Sequence, residues 1–170
     1  MDEKMTTEEG ALAQDERTMA ALAHGSILVG IFTSGVGGIG AALVVWLTQR
    51  EKSAYVARQA LQALVYQVAT LIVTLFFWCC WGALWMLMII PPLIANPDVY
   101  ANTPPPGMWV GLSLLCIPFG AWGLTILYGL WAAVRCLSGE EFKYAVIGNW
   151  LERQGKSGLA IKPAPPADNR

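Results

Sequence analysis

The sequence predicts an all-α fold, a small polytopic bundle of membrane helices, and three observations carry that reading. Charged residues make up only 14% of the chain and apolar types 55%, against about 25% and 45–50% in soluble domains. The charges are also unevenly placed. Charge-free runs at residues 18–49, 59–97 and 99–134 together cover 107 of the 170 positions. A soluble core cannot hide three such stretches, because a spanning helix needs only about 20 apolar residues. Finally, residues 70–90 are apolar on every side, without the alternation of a barrel strand. In lipid the backbone must satisfy itself internally, and for continuous apolar runs that means helices. This composition excludes a soluble enzyme, a disordered chain and a secreted disulfide scaffold.

Three regions follow in order. Residues 1–16 form an acidic polar segment, and no cleaved secretory signal is expected because a basic n-region is missing. Residues 17–154 form the membrane domain. Residues 155–170, rich in Gly, Ser, Pro and Lys, read as a flexible tail.

Within the membrane domain the first apolar run holds a breaker, Ser34-Gly35-Val36-Gly37-Gly38. A straight helix over the 32 residues of 18–49 would measure about 47 Å, too long for a hydrocarbon core of roughly 30 Å. Two full spans and a turn would need more chain. Two solutions fit: a short hairpin of two helices, or one kinked and tilted span. The hairpin is preferred. The second helix starts near Ser53, a good N-cap residue, and runs membrane-like from Leu64 to Ile90, where Pro91-Pro92 is expected to end it. Residues 93–107 form a Pro-rich loop. Residues 108–136 form the next span, bent by Pro118. Residues 140–154 read as an amphipathic interfacial helix, with Phe142, Val146 and Trp150 four apart.

Lys and Arg are absent from the 93–107 loop. Arg50, Lys52 and Arg58 lie between the first and second apolar segments, and six basic residues lie from Arg135 onward. The positive-inside rule then puts the C-terminus in the cytoplasm and the Pro-rich loop outside. The expected location is a bacterial inner membrane, crossed more than once.

His24 is the only histidine and lies in an apolar run. Intramembrane ionisable groups are functional candidates by default. The apolar runs contain no carboxylate to complete a proton relay, so a packing role is favoured. Gln67 lies deep enough to need a partner, with His24 or carbonyls of the Gly break as the expected ones. Small residues at helical spacing mark close helix packing: Gly37 and Gly38 in one helix, Gly120 and Gly123 in another. Trp78, Trp81 and Trp85 share a face and read as a packing or lipid-facing stripe. Cys79, Cys80, Cys116 and Cys136 form no Cys-x-x-Cys pair, so neither a metal nor a cofactor is expected. Cys136 is the cysteine placed for palmitoylation. No nucleophile–base set or phosphate loop is present, and no basic stripe suggests nucleic acid. A non-enzymatic protein is expected. Its partners would be the lipid bilayer and either itself or another membrane protein.

The order of short strings adds a resemblance. Ala20-Ala21-Leu22-Ala23-His24-Gly25-Ser26, the Gly break, Leu43-Val44-Val45-Trp46-Leu47, Gln62-Ala63-Leu64-Val65-Tyr66-Gln67 and Gly139-Glu140-Glu141-Phe142-Lys143-Tyr144 together resemble the bacterial branch of the Tic-twenty-like family. That family is named for a chloroplast inner-envelope import subunit with four membrane helices. The resemblance implies a helical hairpin and a component that assists protein translocation or membrane-complex assembly. The chain departs from the family pattern at Gln62, Val65, Tyr66 and Ala145. The alternative function is a small oligomeric channel or solute carrier.

Overall fold

The computed structural model describes residues 14–145 and 147–154. The expected tail at 155–170 and most of the acidic segment lie outside the described residues. Every regular element among the described residues is helical: α1 (Gln14–Gly25), α2 (Ile27–Phe32), α3 (Val36–Gln49), α4 (Ala54–Ala95), α5 (Pro106–Leu114), α6 (Cys116–Leu137) and α7 (Ile147–Gln154). Two stretches, Ala54–Ala95 and Pro106–Leu137, are long and apolar enough to cross a membrane. The chain forms two compact units, one of residues up to Val68 and from Ile126, the other of Ala69–Thr125.

In the first unit the Gly break makes a hairpin. Ser34 and Gly35 both take positive φ, 54° and 90°, which reverses the chain between α2 and α3. Glycine adopts that conformation without the penalty a Cβ brings. Gly35 N–H closes the turn on Gly30 O at 2.7 Å. The preferred short hairpin is therefore the one formed, with α3 packed back along α2 and α1. Alanines hold this unit together. Ala23 of α1, Ala42 of α3, and Ala60 and Ala63 of α4 form one fully buried cluster. Small side chains let the helix backbones approach closely, where van der Waals contact accumulates without a water-driven force. The start of α4 is set locally, as Val56 N–H donates to the Ser53 hydroxyl at 3.3 Å.

The second unit packs differently. Trp81 Nε1 donates to Gly111 O at 3.0 Å, Trp78 meets Phe119 edge-on at 5.2 Å, and Trp81 stacks on Trp85 at 5.0 Å. The tryptophan stripe is thus a packing face against α5 and the start of α6. Gly111 makes room for it, since a Cβ there would collide with the Trp85 indole; a Cβ on Gly107 would collide with the Met88 backbone one turn further along α4.

Of three sequence expectations, two need correction and one is borne out with its bend located. Pro91 and Pro92 do not end α4, which continues to Ala95. Two adjacent prolines leave carbonyls of the preceding turn without donors, yet their fixed φ suits a final helical turn. The span expected at 108–136 is present as Pro106–Leu137, and the bend expected from Pro118 falls at Leu115, between α5 and α6. Pro118 accounts for the break: its missing N–H and its ring both act on the carbonyl four residues back, that of Leu114, the last residue of α5. Third, residues 140–145 are not helical, and α7 begins only at Ile147. Phe142 and Tyr144 are both buried, two residues apart, as an extended segment requires. Their backbone groups are taken by glutamine side chains of α4, described next.

Candidate functional site

The distinctive feature of the first unit is a buried polar network. His24 projects from α1 and is 1% exposed. Its Nδ1 lies 3.1 Å from the Tyr144 hydroxyl and its Nε2 lies 3.1 Å from Gln59 Oε1. Gln59 of α4, completely buried, also donates through Nε2 to Phe142 O at 3.1 Å. That contact fixes the amide, because a carbonyl oxygen can only accept. Gln59 Oε1 must then accept from His24 Nε2–H, which makes Nδ1 the acceptor and Tyr144 the donor. The arrangement suits neutral imidazole. Burial pushes the His24 pKa from 6.5 down to about 4, partly offset by the bond to Gln59. Burial likewise holds the Tyr144 hydroxyl well above its ordinary range.

Around this centre, Gln62 accepts from Tyr144 N–H at 3.4 Å. Tyr144 stacks flat on Tyr66 with centroids 4.2 Å apart, and Phe142 meets the His24 ring edge-on. The segment after α6 is thereby strapped across α1 and α4. Surface ion pairs of Arg58 with Glu141 at 2.5 Å and Arg135 with Glu140 at 2.6 Å flank it. Such exposed pairs add little, about 0–1 kcal/mol each.

Gln67 belongs to a second cluster in the same unit. Its Nε2 donates to Ser26 Oγ at 2.9 Å and to Ala23 O at 3.4 Å. The Ser26 hydroxyl in turn reaches Ala23 O at 2.8 Å and Gly38 O at 3.0 Å. Gln67 therefore meets the Ala23 carbonyl and the Ser26 hydroxyl at the α1–α2 step. Gly38 is what lets α3 approach: a Cβ there would stand 2.6 Å from Gln67 Oε1 and 2.8 Å from Ser26 O. Gly37 faces its own preceding turn at Thr33. For Gly120 and Gly123, an added Cβ would have nothing within 4 Å among the described residues outside its own stretch of helix. Cys136, proposed from sequence for acylation, is fully buried and its thiol points at Gln59 Oε1, 3.7 Å away; a lipid chain has no access to it there.

Sequence reasoning found His24 and Gln67 but missed Gln59, Gln62 and Tyr144. A signal existed: Gln59, Gln62 and Tyr66 recur at helical spacing on one face, interleaved with Ala60 and Ala63. Chemically, the network uses its polar groups on each other. Among the described residues no three His, Cys, Asp or Glu side chains gather to hold a metal ion.

No curated relative and no solved structure matches the chain. A family match does exist, and it overturns the Tic-twenty-like resemblance. Residues 15–151 match the profile of a different family, that of magnetosome magnetite crystal formation proteins, MamF and MmsF. The misleading strings are rich in Ala and Gly, which any closely packed helical hairpin reuses. The positions that departed from the Tic-twenty-like pattern include Gln62 and Tyr66, which build the network of this chain. From the start of α1 into α7, the chain belongs to the MamF/MmsF magnetosome magnetite crystal formation family.

Proposed function

We propose that this chain is a non-enzymatic, multi-pass component of the bacterial membrane that surrounds a forming magnetite crystal. It acts through packing surfaces offered to copies of itself or to another membrane protein, with its C-terminus in the cytoplasm. Family membership supports the setting, and the distribution of Lys and Arg supports the orientation. The observation that carries the non-transporting role is the state of the buried polar groups. His24, Gln59, Gln62 and Gln67 are bonded to one another's neighbours, to tyrosine and to backbone carbonyls. A carrier or channel would aim such groups into a water path. The apolar faces of α4 and α6, by contrast, are widely exposed and are available to lipid and to other helices.

The test is reconstitution. Pure protein in liposomes is expected to show proton and iron(II) flux equal to that of empty vesicles. Mild-detergent extraction is expected to recover it bound to itself or to a second membrane protein. Reproducible flux that is lost in His24→Gln would overturn the proposal and make the chain a transporter.

A further inference from the structure

The α2–α3 hairpin has a tip unlike the other connection between long helices. Phe32, at the turn, is 89% exposed, and Val36 across from it is 65% exposed. No charged residue lies between Arg17 and Arg50. Several of the turn's amides are bonded within it: Thr33 and Gly35 N–H donate to Gly30 O, Val36 N–H to Thr33 O, and Gly37 N–H to Thr33 Oγ1 at 2.9 Å. Thr33 Oγ1 in turn donates to Val29 O at 2.8 Å. In hydrocarbon, where no water completes a turn's amides, such internal bonds lower the cost of placing it there. The 96–105 connection has the opposite chemistry, with Asn96, Asp98, Asn102, Thr103 and the successive prolines Pro104 and Pro105.

Length decides how far the tip goes. The 14 residues of α3 rise about 21 Å, while the hydrocarbon core is roughly 30 Å thick. Arg50, Glu51 and Lys52 follow α3 immediately and hold that end at the headgroups. A hairpin anchored there runs out of chain before the far headgroups.

We propose that α2 and α3 form a re-entrant hairpin whose tip, Phe32 to Val36, ends within the acyl chains. The hairpin enters and leaves through the face at which Arg50 lies. Its exposed apolar side chains, Leu28, Val29, Phe32, Val36, Val44 and Leu47, are covered by lipid tails. The partner of this surface is the bilayer interior, not a second protein. The proposal stands independently of any role in crystal formation.

The experiment places a single reactive cysteine at the tip of the full chain, as Ser34→Cys or, separately, Val36→Cys. Cys79, Cys80 and Cys116 are replaced by serine, and Asn102→Cys serves as the aqueous reference. Folding of each variant is checked by monodisperse elution in mild detergent, and whichever tip variant passes is used. In a bacterial host, the tip cysteine is expected to resist a membrane-impermeant maleimide from either side and to react once detergent is added. With a fluorophore at the tip, in phosphatidylcholine–phosphatidylglycerol vesicles, quenching is expected to be stronger from spin labels deep on the lipid chains than from labels near the headgroup. The Asn102→Cys site should react from one side and be quenched by neither. Tip labelling from the side opposite Arg50 would mean a full span. Tip quenching mainly by shallow labels would mean a surface hairpin. Either result overturns the proposal.

Discussion

The two units of this chain solve the same packing problem with different chemistry. The first is alanine-packed and tied by buried polar side chains, with His24, Gln59, Gln62, Gln67 and Tyr144 all within it. The second relies on tryptophan against glycine, with Trp81, Trp85, Gly107 and Gly111 at its centre. In an apolar solvent, burial of apolar surface no longer drives association, so close contact and hydrogen bonds must do so. The first unit uses both. Its polar bonds also specify one arrangement, because each misplaced glutamine would leave a buried amide unpaired. The second unit has fewer such constraints and depends on shape.

The comparison can be broken most sharply at Gly38. Gly38→Leu places a large side chain where even a Cβ meets Gln67 and the Ser26 backbone. It is expected to remove most of the folded, monodisperse protein seen by size-exclusion chromatography; undiminished yield would show that α3 does not pack as described. Gln59→Leu comes next. It strands His24 Nε2–H and the Phe142 carbonyl in a buried site, at about 1–3 kcal/mol for each group. Denaturant titration in detergent should show that loss.

His24 adds a pH dependence of defined sign. Its folded pKa, about 4, lies below the unfolded 6.5, so the unfolded chain binds the extra proton first. Stability is whole above pH 6.5, falls as the pH drops towards 4, and levels off below that. Unfolding midpoints measured across this range should follow that course and should flatten in His24→Gln.

How much of this was legible in the sequence depended on the range of the interaction. Ser53 and the Gly break act on their own neighbours, and both the start of α4 and the reversal between α2 and α3 could be read directly. His24 and Gln67 stood out as polar groups in apolar runs. Their partners did not, since Tyr144 is 120 residues from His24 and Phe142 is 83 from Gln59. Without those partners, the fourfold spacing of Phe142, Val146 and Trp150 suggested a helix through 140–145. The tertiary pull of two glutamines on that backbone overrides the spacing. Glycine roles were equally hard to assign. Gly120 and Gly123 have the spacing of a packing face, whereas Gly107 is the one opposed by the Met88 backbone and Gly111 by the Trp85 indole.

Smaller effects refine the second unit. Trp81→Phe removes the bond to Gly111 O and is expected to cost about 1 kcal/mol, well below the loss from Gln59→Leu; an equal or greater loss would erase the contrast between the units. The Cβ of Gly120→Ala or Gly123→Ala would have nothing within 4 Å among the described residues outside its own stretch of helix. Each is expected to leave monomer stability unchanged or raise it by up to about 1 kcal/mol, as helix propensity predicts. A drop in self-association in either variant would locate a contact between copies there.

The proposed role in crystal formation is tested most directly in a magnetite-forming host whose own family member has been deleted. Crystal dimensions are measured by electron microscopy, and total cell iron is measured alongside. The account predicts that the deletion alters crystal size or shape, that this chain restores it, and that cell iron stays unchanged throughout. Crystals unaffected by the deletion and by this chain, or cell iron that rises and falls with it, would contradict a packing component of the crystal-forming membrane.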